Sequence, residues 1–253
     1  MNVAIIGALG WVGRAMIELF PDACLYDKTL GRKEEVNYQD VAFICVPTDL
    51  KGDNTLDTSI VEEVISWCEC PLIVIRSTLN PGTADYLEKK YKRNIVVMPE
   101  YVGESPAHPL LDESQRRFLV IGGKSQNRRK TIELFQTIYN ADINIRQVTN
   151  LEAEIIKLSE NRSIAFKVME CQELYDTCEK AGVDYYTVRE AVYGDDPRMK
   201  LWWSFVFPDK RGFNSSKCLK KDVPAFCAWT QSLGYDAEIT KLLVKKSNDY
   251  AKN

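Results

Sequence analysis

Three groups of residues in this chain have the type and spacing to do chemistry. Cys218 stands among Lys217, Lys220 and Lys221. Neighbouring cations lower a thiol pKa and favour the thiolate, the form that attacks a carbonyl carbon. Asp222 follows four residues later. Lys157 and Asn161 are spaced i, i+4, so on a helix both project from one face. There an ammonium and an amide can meet one oxygen and stabilise negative charge developing on it. With this second group goes a lone carboxylate, Glu100, which follows Pro99 at the end of an apolar run. Taken singly, each has an ordinary structural reading. Lys157 and Asn161 read as solvated helix positions, Cys218 as an inert loop thiol, and Lys217 to Lys221 as a solvated charge cluster. Glu100 reads as a helix cap, and Asp222 as the N-cap of a following helix.

The third group is Gly7-Ala8-Leu9-Gly10-Trp11-Val12-Gly13, which follows an apolar run and precedes an apolar helical pattern. Glycines in a strand-to-helix turn let the backbone approach a pyrophosphate, and the next helix offers free N–H groups and its positive dipole end. Asp27 ends the next apolar run, 20 residues after Gly7. A carboxylate there accepts from ribose hydroxyls and repels a 2′-phosphate, which favours NAD over NADP; Lys28 and Arg32 nearby pull the other way. In the common G-x-G-x-x-G register the first glycine falls on Ala8. The turn is therefore either a substituted site or a G-x-x-G-x-x-G variant, and the plain alternative is a tight turn needing glycine dihedrals.

These groups need elements to hold them. Asn2 to Ile6, Ala23 to Tyr26, Val41 to Val46, Leu72 to Ile75, Ile95 to Met98 and Phe118 to Ile121 read as strands. They are nearly continuous apolar runs, as in parallel strands covered on both faces. Helical patterns at Ile60 to Trp67, Ala84 to Tyr91 and Asn127 to Tyr139 separate several of them, implying βαβ units. After about Gln147 the texture changes to helical spacing. One long helix is expected from Asn150 to Ala181, stopped by Gly182, with further helices at Tyr185 to Val192, Asp222 to Leu233 and Ala237 to Tyr250. Asp195 to Ser216, rich in Gly, Pro, Asn and aromatics, reads as loop. The expected fold is α/β: a Rossmann-like parallel-sheet domain over residues 1–148, then an all-helical domain over 149–253 built on the long helix. The apolar positions from Leu151 to Leu174 exceed what one small domain covers, which points to a homodimer.

Composition excludes other classes. A net charge of −3 over 253 residues gives no footprint for a nucleic-acid partner. No run reaches the roughly 20 apolar residues of a membrane helix, and the N-terminus lacks the basic and apolar regions of a signal peptide; a cytoplasmic protein is expected. The 8 cysteines are scattered, Cys68-x-Cys70 has no second pair, and His108 is the sole histidine, so no metal site is expected. His108, between prolines, reads as structural. Trp202, Trp203, Phe205 and Phe207 read equally as a lid over a substrate or as a satellite core.

Six ordered motifs carry a resemblance to the UDP-glucose/GDP-mannose dehydrogenase family of nucleotide-sugar dehydrogenases. Beyond the glycine turn, Val46-Pro47-Thr48 followed by Leu56-Asp57-Thr58-Ser59-Ile60-Val61 is similar to V-P-T-P and D-L-S-x-V. Arg76-Ser77-Thr78-Leu79-Asn80-Pro81-Gly82-Thr83 resembles K-S-T-V-P-P-G-T. Val97 to Glu104 resembles N-P-E-F-L-R-E, and Ala153 to Asn161 resembles A-E-x-x-K-L-x-x-N. Gly212-Phe213-Asn214-Ser215-Ser216-Lys217-Cys218-Leu219-Lys220-Lys221-Asp222 resembles the nucleophile loop G-F-G-G-x-C-x-x-K-D, with Asp196-Pro197-Arg198 upstream like its D-x-R.

The resemblance implies oxidation of a sugar primary alcohol to a carboxylate by two hydride transfers to two NAD. It makes Cys218 the thiol that adds to the intermediate aldehyde, Lys157 and Asn161 the stabilisers of the alkoxide, and Asp222 with Lys157 the water-orienting proton relay. Glu100 then serves thioester hydrolysis. Gly7, Gly10, Trp11, Val12, Gly13, Asp27, Pro47 and Thr48 fall to the cofactor, with Thr78, Glu104 and Lys221 on its nicotinamide side. The substrate is expected to be a nucleotide sugar or related small molecule. The family's third, nucleotide-binding domain has no counterpart before Asn253, which leaves three outcomes: a partner chain supplies the missing contacts, the loop from Asp195 to Ser216 replaces them, or the substrate is no longer a nucleotide sugar. Asn214-Ser215 replaces the family's Gly-Gly, one extra residue precedes Cys218, and Val102-Gly103 replaces Leu-Arg. Two alternatives stand beside this reading. One is a two-domain β-hydroxyacid-type dehydrogenase performing one oxidation. The other is a non-catalytic NAD-binding protein.

Overall fold

The computed structural model describes residues 1–103, 112–195, 199 and 204–252. The chain divides into two compact units. One comprises Met1–Asp49 and Leu56–Lys157, the other Leu50–Thr55 and Leu158–Asn253.

The first unit is an α/β layer structure. Strands β1 (Val3–Ile6), β2 (Cys24–Tyr26), β3 (Val41–Ile44), β4 (Leu72–Ile75) and β5 (Ile95–Val97) form one parallel sheet in the order β2-β1-β3-β4-β5. Every residue of β1, β3, β4 and β5 is buried, because successive side chains point to opposite faces and both faces are covered. Ala4, Ile6, Ala42, Ile44, Ile73 and Ile75 enter one core. Val3, Ile5, Val41, Phe43, Leu72 and Val74 enter the other. Helices α1 (Trp11–Leu19), α2 (Lys33–Val36), α3 (Ser59–Trp67), α4 (Thr83–Tyr91) and α5 (Ser125–Phe135) connect the strands.

Past β5, β6 (Phe118–Ile121) pairs in parallel with β7 (Asn144–Gln147), a strand absent from the sequence reading. The pair is tied to β5 where Gly122 N–H donates to Val97 O at 2.8 Å. Asn150 completes the seam: its Oδ1 accepts from Val97 N–H at 2.9 Å and its Nδ2 donates to Ile95 O at 3.3 Å. A buried amide thus pairs backbone groups that the sheet leaves open. Asn150 also begins α6 (Asn150–Ala181), the expected long helix, which runs from the first unit into the second. Gly182, at φ +71°, ends it in the left-handed region.

In the second unit α7 (Tyr185–Arg189) continues into a π turn over Glu190–Asp195, and α8 (Leu219–Ser232) and α9 (Glu238–Tyr250) follow. Ala165 and Met169 of α6 pack with Phe213, Leu219, Val223 and Leu243. Cys171 and Cys178 pack with Tyr185, Tyr193 and Val206. Among the described residues no helix is long and apolar enough to cross a membrane.

Candidate functional site

The glycine turn is built by close approach. Gly7 has φ +83°, and a Cβ on it would lie 2.7 Å from Cys45 O; a Cβ on Gly13 would lie 2.1 Å from Gly7 O. The first glycine lets β1 turn beside the end of β3, and the third lets α1 start against that turn. Gly10 N–H donates back to Gly7 O at 3.1 Å, and no side chain caps α1. The start of α1 therefore presents backbone N–H groups and a positive dipole end to an anion. Leu9 and Trp11 are exposed around the turn, while Val12 is half-buried against the core. Asp27, half-exposed, directly follows β2; its Oδ2 accepts from Leu9 N–H at 3.1 Å and its Oδ1 from Lys28 N–H at 2.8 Å. An oriented carboxylate, an uncapped helix start and a turn that only glycine fits suit a dinucleotide with free ribose hydroxyls.

Pro47 and Thr48 follow β3, the first exposed and the second buried, and Thr78 follows β4, also buried. Ser77 Oγ donates to Val46 O at 2.7 Å, tying the ends of β3 and β4 together. Glu100 follows β5 and meets Lys157 of α6. Lys157 Nζ donates to Glu100 O at 2.7 Å and lies 3.2 Å from Glu100 Oε1. Both residues are buried. Burial pushes the Glu100 carboxyl up, but the charges of Lys157, Arg76 and Arg116, with the Lys157 hydrogen bond, outweigh it and hold the group below the usual carboxylate range. Lys157 Nζ also lies 5.0 Å from the centre of the Tyr101 ring.

The second unit holds the other cluster. Asp222 is fully buried; its Oδ2 accepts from Asn161 Nδ2 at 2.5 Å and its Oδ1 meets Lys221 Nζ at 2.8 Å. Cys218, half-buried, is the N-cap of α8 and is αR itself; Asp222 N–H donates to its carbonyl at 2.9 Å. The helix therefore begins at Leu219, three residues before the sequence reading placed it. Asp222 is a first-turn residue rather than a cap, and the first-turn N–H groups are taken up locally: Leu219 N–H donates to Ser216 Oγ at 3.2 Å and Lys220 N–H to Ser216 O at 3.2 Å. Pro224 lies inside α8, and a proline there has no N–H for the Lys220 carbonyl.

Glu104, His108, Asp196-Pro197-Arg198, Trp202 and Trp203 lie outside the described residues. Phe205 and Phe207 are exposed and stack on each other, with ring centres 6.5 Å apart. Sequence reasoning missed the partners of Lys157: Tyr101, and behind it Arg76, Glu113 and Arg116. One signal was available. Arg76 is a charge directly after the wholly apolar β4, a position that requires a buried partner.

A parallel sheet with a glycine turn after its first strand, followed by helices, places the first unit in the dinucleotide-binding α/β class. A model of the UDP-glucose/GDP-mannose dehydrogenase family's NAD binding domain matches residues 23–143, and one of its central domain matches residues 151–250. The chain belongs to the UDP-glucose/GDP-mannose dehydrogenase family. It is 28% identical over 233 residues to the UDP-glucose 6-dehydrogenase of Rickettsia bellii, covering 85% of this chain and 51% of that protein. The chain spans about half the length of the curated UDP-glucose 6-dehydrogenases it matches. In fold it is similar to a UDP-glucose dehydrogenase of Pyrobaculum islandicum, with TM-score 0.84 and 24% identity over 98% of this chain and 68% of that one. It is also similar in fold to a 3-hydroxyisobutyrate dehydrogenase of Mycobacterium tuberculosis, with TM-score 0.73 and 15% identity over 100% of this chain and 94% of that one.

Proposed function

We propose that this chain oxidises the primary alcohol of a nucleotide sugar to the carboxylate in two NAD-dependent steps, with Cys218 as the covalent nucleophile. One observation carries the reading most: a thiol at the start of α8, with Asp222 buried one turn on and held by Asn161 and Lys221. A single oxidation of a hydroxyacid has no use for that thiol, and the likeness to the hydroxyisobutyrate enzyme is one of fold alone.

NAD, when bound, accepts hydride; Gly7, Gly10, Trp11, Val12, Gly13, Asp27, Pro47, Thr48, Thr78, Glu104 and Lys221 are the residues proposed to hold it. Lys157 and Asn161 stabilise the oxygen that becomes negative as the alcohol loses its proton. The Cys218 sulfur then forms a bond to the aldehyde carbon, whose oxygen takes up a proton, giving a thiohemiacetal. Loss of a second hydride and of the hydroxyl proton leaves a thioester. Water, oriented by Asp222 and Lys157 and activated by Glu100, breaks the carbon–sulfur bond and restores the thiol. The same reading carries a homodimer formed through apolar positions of α6, a partner chain as a source of contacts to the nucleotide, and a cytoplasmic setting.

The test is turnover of purified protein with NAD and a panel of UDP- and GDP-sugars, followed by NADH absorbance. Turnover of one sugar nucleotide is expected. No turnover of any, with NAD binding intact by calorimetry, rejects the reading in favour of a different substrate or a non-catalytic NAD-binding role.

A further inference from the structure

Behind Lys157 and Glu100, the first unit buries a set of charges that no step above uses. Arg76 Nη2 lies 2.6 Å from Glu113 Oε1, and Arg116 Nη2 lies 2.5 Å from Glu113 Oε2. All three side chains are at most 3% exposed. With Lys157 and Glu100 the set holds, among the described residues, three cations against two carboxylates. The surplus shows in the hydrogen bonding: Nε and Nη1 of both arginines have no partner among the described residues. Tyr101 closes the circuit. Its ring lies 4.9 Å from the Arg116 guanidinium and 5.0 Å from Lys157 Nζ, so two cations share one aromatic group and are spaced by it.

We propose that Glu113 is a positioning residue for the Lys157–Glu100 pair: by holding Arg76 and Arg116 together, it leaves the Glu100 carboxylate to Lys157. This rests on the reading in which Lys157 and Glu100 do chemistry. The physical ground is that a buried cation without a partner is costly. Without the Glu113 charge, the carboxylate whose charge Arg76 and Arg116 already feel is Glu100. Glu100 would be drawn to the arginines and Lys157 would lose its ion pair. Among the described residues, the groups facing Glu113 are Cys45 after β3, Arg76 after β4, Arg116 of its own turn and Tyr139 after α5, whose hydroxyl donates to Glu113 O at 3.0 Å. Cys45 is a neutral thiol, pushed up to about 12 mainly by burial. Among the described residues, Glu100 and Tyr101 are groups that face Lys157.

The experiment reads Lys157 directly, without relying on turnover. The protein is labelled with acetic anhydride from pH 6 to 11, and the modification of Lys157 is followed by peptide mass spectrometry in wild type, Glu113→Gln, Arg116→Gln and the double variant. In Glu113→Gln the Lys157 labelling midpoint should fall by about one pH unit or more, a tenfold rise in neutral amine at fixed pH. In Arg116→Gln, which leaves Glu113 with one cation, it should rise. The double variant, which removes one of the two arginines but leaves Arg76 without Glu113, should fall between Glu113→Gln and wild type. A Glu113→Gln protein that melts earlier but labels with the wild-type midpoint would show a merely structural role and overturn the proposal. If Glu113→Gln does not fold, a midpoint in Arg116→Gln that is unchanged or lower overturns it equally. Failure of the wild type to turn over sugar nucleotides would instead strike the function proposed above and leave these midpoints readable.

Discussion

The Asn161 amide donates to the Asp222 carboxylate at 2.5 Å, and that carboxylate is fully buried, its other oxygen held by Lys221. Asp222 is thus a fixed anion with both oxygens engaged, and Asn161, whatever else it touches, is needed to satisfy it.

Removing the amide should therefore cost stability. Asn161→Ala leaves one oxygen of a buried carboxylate unmet, which costs about 1–3 kcal/mol. Urea unfolding should show a lower midpoint at unchanged slope. Asn161→Asp should be worse at neutral pH, because two carboxylates then meet, and should recover part of the loss as pH falls and one of them takes a proton. An Asn161→Ala protein as stable as wild type would contradict the geometry.

The glycine turn makes a sharper demand. A Cβ on Gly13 would lie 2.1 Å from Gly7 O and 2.8 Å from Ala8 Cα, both backbone atoms. Gly13→Ala must push α1 away from the turn, at a cost of about 1–3 kcal/mol for forced overpacking. Thermal melts should fall, and calorimetric NAD binding should weaken at least tenfold because the N–H groups at the start of α1 shift. Unchanged NAD affinity in this variant would separate the turn from the cofactor.

A third expectation concerns pH. Glu154 of α6 is buried, and its carboxylate accepts from Gly82 N–H at 2.6 Å and Ala84 N–H at 2.8 Å, capping α4 from outside. Burial pushes this carboxyl up to about 7, against the two backbone hydrogen bonds and with help from Asp85. A carboxyl whose folded pKa lies above its unfolded one binds more protons in the folded state. Its contribution is present below about pH 4.5 and is lost as pH rises through about 7. The shift corresponds to roughly 3 kcal/mol. Denaturant melts across this range should show stability falling, and Glu154→Gln should flatten that slope. An equal slope in the variant would remove Glu154 as its cause.

The sequence made the first unit legible because its strands are buried on both faces: Val3 to Ile6, Val41 to Ile44 and Leu72 to Ile75 read as unbroken apolar runs and are strands. It hid β7 because Asn144, Arg146 and Gln147 are exposed at a sheet edge and only Ile145 packs inward. It hid α2, a single turn over Lys33–Val36 with one buried residue. The long helix was legible to its last residue because Gly182 stops it. The start of α8 was not, because lysines flanking a cysteine look like loop until Leu219 and Val223 are seen packing against α6. At the candidate site, motif order exposed Lys157, Asn161, Glu100, Cys218 and Asp222. Which of them pair was not legible: Lys157 with Glu100 bridges 57 positions and Asn161 with Asp222 bridges 61. Only folding brings such residues together.

The central claim is that two oxidations occur and that the second passes through the Cys218 thiol, and NADH stoichiometry tests it most directly. Wild-type protein, given a limiting amount of the sugar nucleotide it turns over, should form two NADH per sugar and release the uronate, while Cys218→Ser should bind NAD normally and fail to convert aldehyde to acid. One NADH per sugar in wild type, or undiminished two-step oxidation in Cys218→Ser, would contradict it.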